Sequence, residues 1–589
     1  MADYRGGAFM MEPVGSRQIF IPEHFTEEQR MMAKTASDFV EKEVVPRAEE
    51  IDEMKPGLLP SLIKKAAELG LCSIDIPEKY DGLDQDKATS MLVAEKMAQN
   101  GTFSCAVGAH TGIGTLPIVY FGNEEQKKKY LPLLGSGEKL SAYALTEPTA
   151  GSDAMSIRTK ATLSEDGKYY ILNGTKQFIT NAGFADMFIV YAKVDGDKFT
   201  GFIVDRNAEG ITIGPEEKKM GIKGSSTTQI ILENVKVPVE DTLYEIGKGH
   251  KIAFNILNIG RFKLGIGAIG GSKNLLGYTV KYAKQREQFN TPLAQFGAIK
   301  DKLARMTTRI YAGESMAYRV AGLMDESIAK IDKNLPDAQQ KIIDAIEEYA
   351  LEDSIIKVYG SECLDFVADE AVQIYGGYGY TAEYPAEKSY RDSRINRIFE
   401  GTNEINRMLI PGTLLKRGMK GQLPLMDYSG KVFKELTSGS IEVQADGVLA
   451  DAVRAAELAK KATMYSASVA IQKYMANLQK EQEVLIMMAD MMIAVYAMDS
   501  TLCRVLQLVS EKGADKCAVQ IDVANCVVAD CADIIATIGR RLLGASASGD
   551  ELKKHIEAFD RGVPFFAYNT VAGRRNIADR IIEDEKYNL

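Results

Sequence analysis

Apolar residues recur at three- and four-residue spacing over residues 27–43 and 58–69, the period of helices buried on one side. Pro46, Pro56 and Pro77 punctuate these stretches. Residues 104–120, rich in small and apolar side chains, predict a buried helix. Near Ser141 the pattern changes. Residues 169–180, 188–193, 199–204 and 228–237 are short β-rich runs separated by Gly, Asn and Asp, which predict a small antiparallel sheet or barrel ending near Pro238. From about Gly247 the helical period returns, with helices predicted over 251–285, 296–324 and 336–375. Residues 332–336 form the break before the last of these, and Gly376-Gly377 stops it. Residues 411–440 carry Pro411, Pro424 and several glycines and read as a connector, after which helical pattern runs to Leu589. The chain is therefore read as mainly α with a central β-domain. Its units are an arm (1–25), a helical N-terminal domain (26–140), a β-domain (141–245), a helical bundle (246–415), a connector (416–440) and a C-terminal helical domain (441–589).

Composition narrows the choice of chemistry. At 589 residues the chain is too long for one ordinary core. A net charge of −10 disfavours general nucleic-acid binding, which needs a basic face. The seven cysteines are an odd number without a C-x-x-C, and the four histidines lie far apart, so neither a disulfide framework nor a metal site is expected. A reducing, cytoplasmic setting fits. The N-terminus shows neither a signal-peptide h-region nor an Arg-rich transit peptide. The most apolar stretch, residues 484–498, contains Asp490 and reads as a buried helix too short to span a membrane.

Six motifs carry candidate chemistry. In R-I-F-E-G-T-N-E-I-N-R, Glu400 sits between Phe399 and Gly401-Thr402, a setting in which desolvation would raise a carboxylate toward the pKa of a general base. Y-A-L-T-E-P-T-A-G-S-D offers the hydroxyls of Thr146 and Ser152 and a close backbone approach at Gly151, or else a Pro/Gly turn entering a sheet. In G-T-K-Q-F-I-T-N-A-G, Phe178 and Thr180 alternate onto one strand face that could meet a planar ring. Arg286 in Q-R-E-Q-F can bind a pyrophosphate, or be a solvated arginine at a helix end. A-V-Q-I-Y-G-G-Y-G-Y permits close contact with a phosphate-bearing ligand but is no G-x-G-x-x-G fingerprint, so a Rossmann reading is rejected. N-I-L-N-I-G-R-F places Arg261 on an otherwise apolar helix, where it needs a partner.

In this order and spacing, over roughly residues 25–415, the motifs resemble the acyl-CoA dehydrogenase family. The extra C-terminal helical unit, N-I-L-N-I-G-R-F and G-A-H at 108–110 are similar to its very-long-chain branch. The resemblance implies a helical N-terminal domain, a small β-barrel or sandwich and a four-helix bundle binding FAD, plus the C-terminal helical domain. It implies that Tyr143, Leu145, Thr146, Gly151 and Ser152 line the flavin and the thioester. Phe178, where many relatives have tryptophan, would face the isoalloxazine, and Thr180 its N5 edge. Arg286, Gln288, Phe289, Gln373 and Gly377 would reach the ADP part from a neighbouring subunit, with Thr402 and Glu404 by the adenosine. Glu404 replaces a glutamine common in relatives. Ser152, Phe399, Asn258, Arg261 and Gly401 would contact the acyl-CoA.

The implied reaction is α,β-dehydrogenation of a fatty acyl-CoA. Glu400 would remove the α-proton as a β-hydride passes to the flavin, and Arg261 would steady the glutamate. Some family members carry the base immediately before the arginine corresponding to Arg261. Here that residue is Gly260, which leaves Glu400 as the candidate. Small residues at Ala106, Gly108 and Ala109, with a modest Cys105, predict a deep acyl slot. The resemblance also implies electron-transferring flavoprotein as acceptor and a homodimer. Lys460, Lys461, Arg540, Arg541, Lys553 and Lys554 leave room for a weak peripheral membrane contact. An acyl-CoA oxidase and a scaffold retaining the fold are the alternative readings.

Overall fold

The computed structural model describes residues 4–335, 337–563 and 566–589, so that Pro336, the predicted start of one helix, lies outside it. The N-terminal domain is a set of short helices. Thr26 and Asn123 open Glu27–Phe39 and Glu124–Gly135 through reciprocal capping boxes with Gln29 and Gln126. The helix predicted over 27–43 leaves the α form at Phe39 and ends in a π turn, Val40–Val44. The one predicted over 104–120 forms as three pieces, Gly101–Gly108, the π turn Ala109–Gly114, and Leu116–Phe121, which opens with Pro117 in its first turn.

The strands are β1 (Ser141–Ala144), β2 (Lys160–Leu163), β3 (Tyr169–Thr180), β4 (Met187–Val194), β5 (Lys198–Asp205), β6 (Ile211–Ile213), β7 (Thr227–Pro238) and β8 (Thr242–Leu243). They form one sheet in the order β6-β7-β3-β2-β4-β5-β8, with β1 added on β4. The sheet is mixed rather than antiparallel, because β4 runs parallel to both β1 and β2. Parallel neighbours require a crossover, supplied here by the long β1–β2 loop and by β3. That loop carries Thr146, Gly151 and Ser152.

Four helices follow as the bundle: Gly249–Gln285, Gly297–Ile328, Ala350–Tyr375 and Asn403–Met419. The helix predicted over 336–375 is broken into Ala338–Glu347 and Ala350–Tyr375. The N-terminal arm packs against the break. The Gly6 N–H donates to Glu348 Oε1 at 2.9 Å, and Arg417 takes the Glu348 carbonyl. A Cβ at residue 6 would stand 2.2 Å from that carbonyl, so only glycine fits. Gly376, with φ 61°, ends Ala350–Tyr375 as expected.

The predicted connector is mostly helical. Asn403–Met419 contains Pro411, and Leu425–Ser438 follows, burying Leu425, Val432 and Leu436. The C-terminal domain is built on Ala450–Tyr474, Gln482–Lys512 and Ala518–Ser546. Gln482–Lys512, which contains 484–498, and Gly249–Gln285 are long and apolar enough to cross a membrane; 83% and 61% of their most apolar windows are buried inside the protein. Of the basic residues considered for membrane contact, Arg541 and Lys554 are exposed and four others are paired. Lys460 is fully buried between Glu457 and Asp499, Lys461 binds Glu435, and Arg540 and Lys553 pair with Asp560 and Asp550. One apolar core runs from the N-terminal arm through the bundle into the C-terminal domain and takes in part of the β-domain, including Tyr143, Ile189 and Tyr191, while other β-domain residues form a second core.

Candidate active site

Glu400 lies in the loop that leads into Asn403–Met419, and both it (φ 56°) and Gly401 (φ 79°) occupy the left-handed region. For a glutamate this costs about 1–3 kcal/mol and persists only where neighbours hold it. They do so through its carbonyls. Arg261 Nε donates to Glu400 O at 3.2 Å, Asn406 Nδ2 to Gly401 O at 2.9 Å and Thr402 O at 3.1 Å, and Lys357 Nζ to Gly401 O at 2.7 Å. Thr402 caps the helix by accepting from the Ile405 N–H. The arginine therefore holds Glu400 through its backbone; its other bond goes to Asn258 Oδ1 at 2.9 Å.

The carboxylate itself is kept free. Glu400 Oε2 is sealed from solvent and has no hydrogen-bond partner. Burial pushes its pKa up to about 7, against the opposing pull of Arg261 and Lys357. Gly260 makes the space for it, since a Cβ there would lie 2.8 Å from Oε2.

Glu400 and Phe399 form part of the wall of a cavity of about 340 Å³. Thr180, Cys105, Gly108 and Ala109 line it too, whereas Ala106 packs into the N-terminal core. Along Gly249–Gln285 the lining runs from Gly260 through Leu264, Gly267 and Gly271 to Tyr278. At about 1.5 Å per residue this is about 27 Å of helix. One turn beyond Gly260 the wall turns polar: Lys263 Nζ meets Asp75 Oδ2 at 2.7 Å, and Lys87 Nζ meets its other oxygen at 2.7 Å.

The residues assigned to the flavin fall into two sets. Near the cavity, Thr180 lines it and Tyr143 is buried with its hydroxyl unpartnered, its ring edge-on to Tyr191 at 5.2 Å. Leu145 is buried and lends its carbonyl to Lys176, Thr146 O accepts from the Gln177 N–H, and Gly151 and Ser152 stand exposed in the turn after β1. Phe178 is 60% exposed. A bulge in the β3–β7 ladder between Lys176 and Ile179, with φ 58° at Phe178, presents this ring outward beside Thr180. The second set lines no part of the cavity. Arg286 lies 5.6 Å from the Tyr378 ring, Gln288 and the 89%-exposed Phe289 sit on a two-strand ribbon, and Gln373, Gly377 and Glu404 are exposed. An outward aromatic ring, a cavity-facing hydroxyl and orphaned polar atoms at Tyr143 and Glu400 fit a planar redox cofactor laid between β-domain and bundle.

Three residues of the site carry no signal in the sequence: Lys357, Asn403 and Asn406. They act by fixing backbone and one another, and only Asn403 and Asn406 fall inside a motif at all.

Family models agree with this geometry over most of the chain. Those for the N-terminal, middle and C-terminal domains of acyl-CoA dehydrogenase match residues 26–138, 142–235 and 247–415. The chain belongs to the acyl-CoA dehydrogenase family. A further acyl-CoA dehydrogenase C-terminal domain model matches residues 458–561, within the additional helical domain. A probable acyl-CoA dehydrogenase of Bacillus subtilis is 47% identical over 586 residues, spanning 99% of this chain and 98% of that one. The human very long-chain specific mitochondrial enzyme is 36% identical over 472 residues, 75% of this chain and 69% of its own. The crystal structure of an acyl-CoA dehydrogenase from Bacillus anthracis complexed with FAD superposes with a TM-score of 0.97 at 46% identity, covering 100% of both chains. FAD is thus the cofactor of this acyl-CoA dehydrogenase, and acyl-CoA dehydrogenation is its class of reaction.

Proposed function

We propose that the protein oxidises medium- to long-chain fatty acyl-CoA to trans-2-enoyl-CoA, the first step of fatty-acid β-oxidation, and passes the electrons to electron-transferring flavoprotein. The observation that carries this reading is the partnerless Glu400 carboxylate in the wall of a long, largely apolar cavity. FAD, when bound, supplies the hydride acceptor. Phe178 and Thr180 would hold it from the β-domain; Tyr143, Leu145, Thr146, Gly151 and Ser152 would border it.

The protein's own part is proton chemistry. An α-proton beside a thioester is a far weaker acid than a carboxylic acid, so the carbonyl must be polarised as the proton leaves. Among the described residues none accepts a hydrogen bond from the Glu400 N–H, which suits it to that carbonyl. A preorganised donor of this kind contributes roughly 3–4 kcal/mol to the transition state. Glu400 then takes the α-proton on Oε2. Its pKa of about 7 lets it be ionised at neutral pH yet basic enough to act. Phe399 and the acyl chain exclude water.

The small residues of the cavity support the length assignment. No atom lies within 4 Å of where a Cβ on Gly108 would stand, and Cys105 and Ala109 are small neighbours. The exposed second set, Arg286, Gln288, Phe289, Gln373 and Gly377, is suited to contacts with the cofactor of a second chain, and we infer a homodimer. Bacterial relatives and seven free thiols support a cytoplasmic setting.

The test is anaerobic titration of the flavin-loaded protein with acyl-CoAs of graded length while following flavin bleaching. Bleaching should be fastest with medium and long chains; a maximum at short chains overturns the length assignment. Glu400→Gln should keep FAD and lose turnover by about 10³-fold or more, and near-normal turnover would sink the base assignment. Stoichiometric peroxide in air would favour the oxidase reading instead.

A further inference from the structure

Lys357 stands in an apolar stretch of Ala350–Tyr375, between Ile355, Ile356 and Val358, and is fully buried. A buried ammonium needs compensation. Its Nζ reaches the Glu400 loop, donating to Gly401 O at 2.7 Å and Asn403 Oδ1 at 2.8 Å. Asn403 is fixed in turn: its Nδ2 donates to Ser361 Oγ at 3.1 Å and Glu362 Oε1 at 3.0 Å. The direct acceptors of Lys357 are thus a carbonyl and an amide, neither of them an anion. The anion acting on it most strongly is Glu400.

We propose that Lys357 is a positioning residue for the dehydrogenation: it locks the left-handed turn at Glu400 and Gly401 and lends a second positive charge, beside Arg261, that favours the ionised Glu400. The inference rests on Glu400 being the base. Every charged or titratable group facing the pair fits this role. Arg261 comes from Gly249–Gln285, Tyr143 from β1, Cys105 from Gly101–Gly108 and Asp353 from one turn earlier on the Lys357 helix. Burial pushes Asp353 and Tyr143 far above their ordinary ranges and the Cys105 thiol up to about 11, so burial favours the uncharged form of all three. Glu362 is answered by Arg407 at 2.6 Å, and Glu404 is exposed and screened by solvent. Arg261 and Lys357 are the two cations whose pull opposes the effect of burial on Glu400. The coupling works both ways: burial pushes Lys357 down to about 7, and Glu400 opposes that fall.

The experiment compares FAD-loaded wild type, Lys357→Gln and Lys357→Met, reading kcat against pH at saturating acyl-CoA, together with KM, bound FAD and Tm. Losing the cation should move the acid limb of kcat up by about one pH unit in both variants. At pH 7 kcat should fall about fivefold, with KM within threefold and FAD retained. Lys357→Gln keeps a donor for Gly401 O and should recover most of its kcat at pH 9, whereas Lys357→Met should not. An acid limb unmoved in Lys357→Gln overturns the proposal, as does a pH-7 kcat within twofold of wild type. A purely structural lysine would lower Tm and activity at every pH without moving the limb. If Lys357→Met does not fold, Lys357→Gln alone decides. Glu400→Gln run in parallel separates the two readings: if it is dead while the Lys357 limb stays fixed, only the present inference falls; if it is active, the base assignment falls.

Discussion

At the scale of single residues, Gly260 and Glu400 share one space. A Cβ on residue 260 would lie 2.8 Å from Glu400 Oε2 and 3.3 Å from Ile113 Cγ2. The carboxylate is the flexible partner, so Gly260→Ala should displace it rather than unfold the helix, where alanine is favoured over glycine by about 1 kcal/mol. We expect Tm within a few degrees of wild type and kcat lower by about 10²-fold, since a shift of about 1 Å at a reacting group has this effect. Unchanged kcat would show that Glu400 does not work from its observed position. The same carboxyl fixes a pH signature. Glu400 must be ionised to act, so kcat/KM should rise through about pH 7. Stability should run the other way. The folded-state pKa stands above the ordinary carboxylate value, so the fold holds its proton more tightly than the unfolded chain, and stability is lost as pH rises through about 7. Glu400→Gln removes this penalty and should be about 1–2 kcal/mol more stable than wild type at pH 8 by denaturant unfolding, although it is inactive.

At the scale of elements, the β3 bulge deserves its own test, because it alone turns Phe178 outward. Phe178→Ala removes an exposed ring that packs little within the chain, so Tm of the FAD-free protein should stay within about 2 °C while FAD dissociates at least tenfold faster on dilution. Equal FAD retention would remove Phe178 from the cofactor site. The strand itself was legible in the sequence: alternation predicts residues 169–180, the observed span. The bulge was not, since it depends on how β7 pairs. The other misreadings share that cause. The break at Glu348 is where Gly6 and Arg417, far away in sequence, make contact, and a local hydrophobic period has no access to such contacts. Residues 411–440 look like a connector because glycine and proline usually break helices. Here Gly418 is needed for close packing, with Leu425 Cδ2 2.7 Å from where its Cβ would stand. Glu400, Arg261, Thr180 and Phe399 were legible because they sit in dense motifs. Lys357 was not, being one lysine in an apolar run whose partners are backbone oxygens.

At the scale of the whole molecule, the C-terminal domain is held to the bundle by buried charge as well as apolar core. Asp499, on Gln482–Lys512, accepts from Arg319 of the bundle at 2.5 Å and meets Lys460 of Ala450–Tyr474 at 2.6 Å. Arg319 also reaches Tyr4 of the N-terminal arm, so three separate parts of the chain meet at one carboxylate. Burial alone would raise the pKa of Asp499, but Lys460 and Arg319 overrule it and hold the carboxyl below its ordinary value. Its stabilising contribution is accordingly present above the unfolded pKa and lost only as pH falls through the lower folded value. Lys460 keeps Glu457 as a second partner at 3.0 Å, whereas Arg319, among the described residues, is left with the hydroxyls of Ser500 and Tyr4 and the Tyr496 ring. Asp499→Asn should therefore strand the guanidinium and cost about 3–5 kcal/mol, the usual result of removing one member of a buried pair. The loss should appear in denaturant unfolding at pH 7. Hydrogen exchange should locate it in Gln482–Lys512 and the N-terminal arm, ahead of the β-domain residues that form the second core. Replacing both partners, Asp499→Leu with Arg319→Met, should recover much of the loss, because no charge is then left buried alone. If Asp499→Asn costs less than about 1 kcal/mol, apolar packing alone holds the domain, and the charge cluster sets only how the arm, bundle and C-terminal helices are aligned.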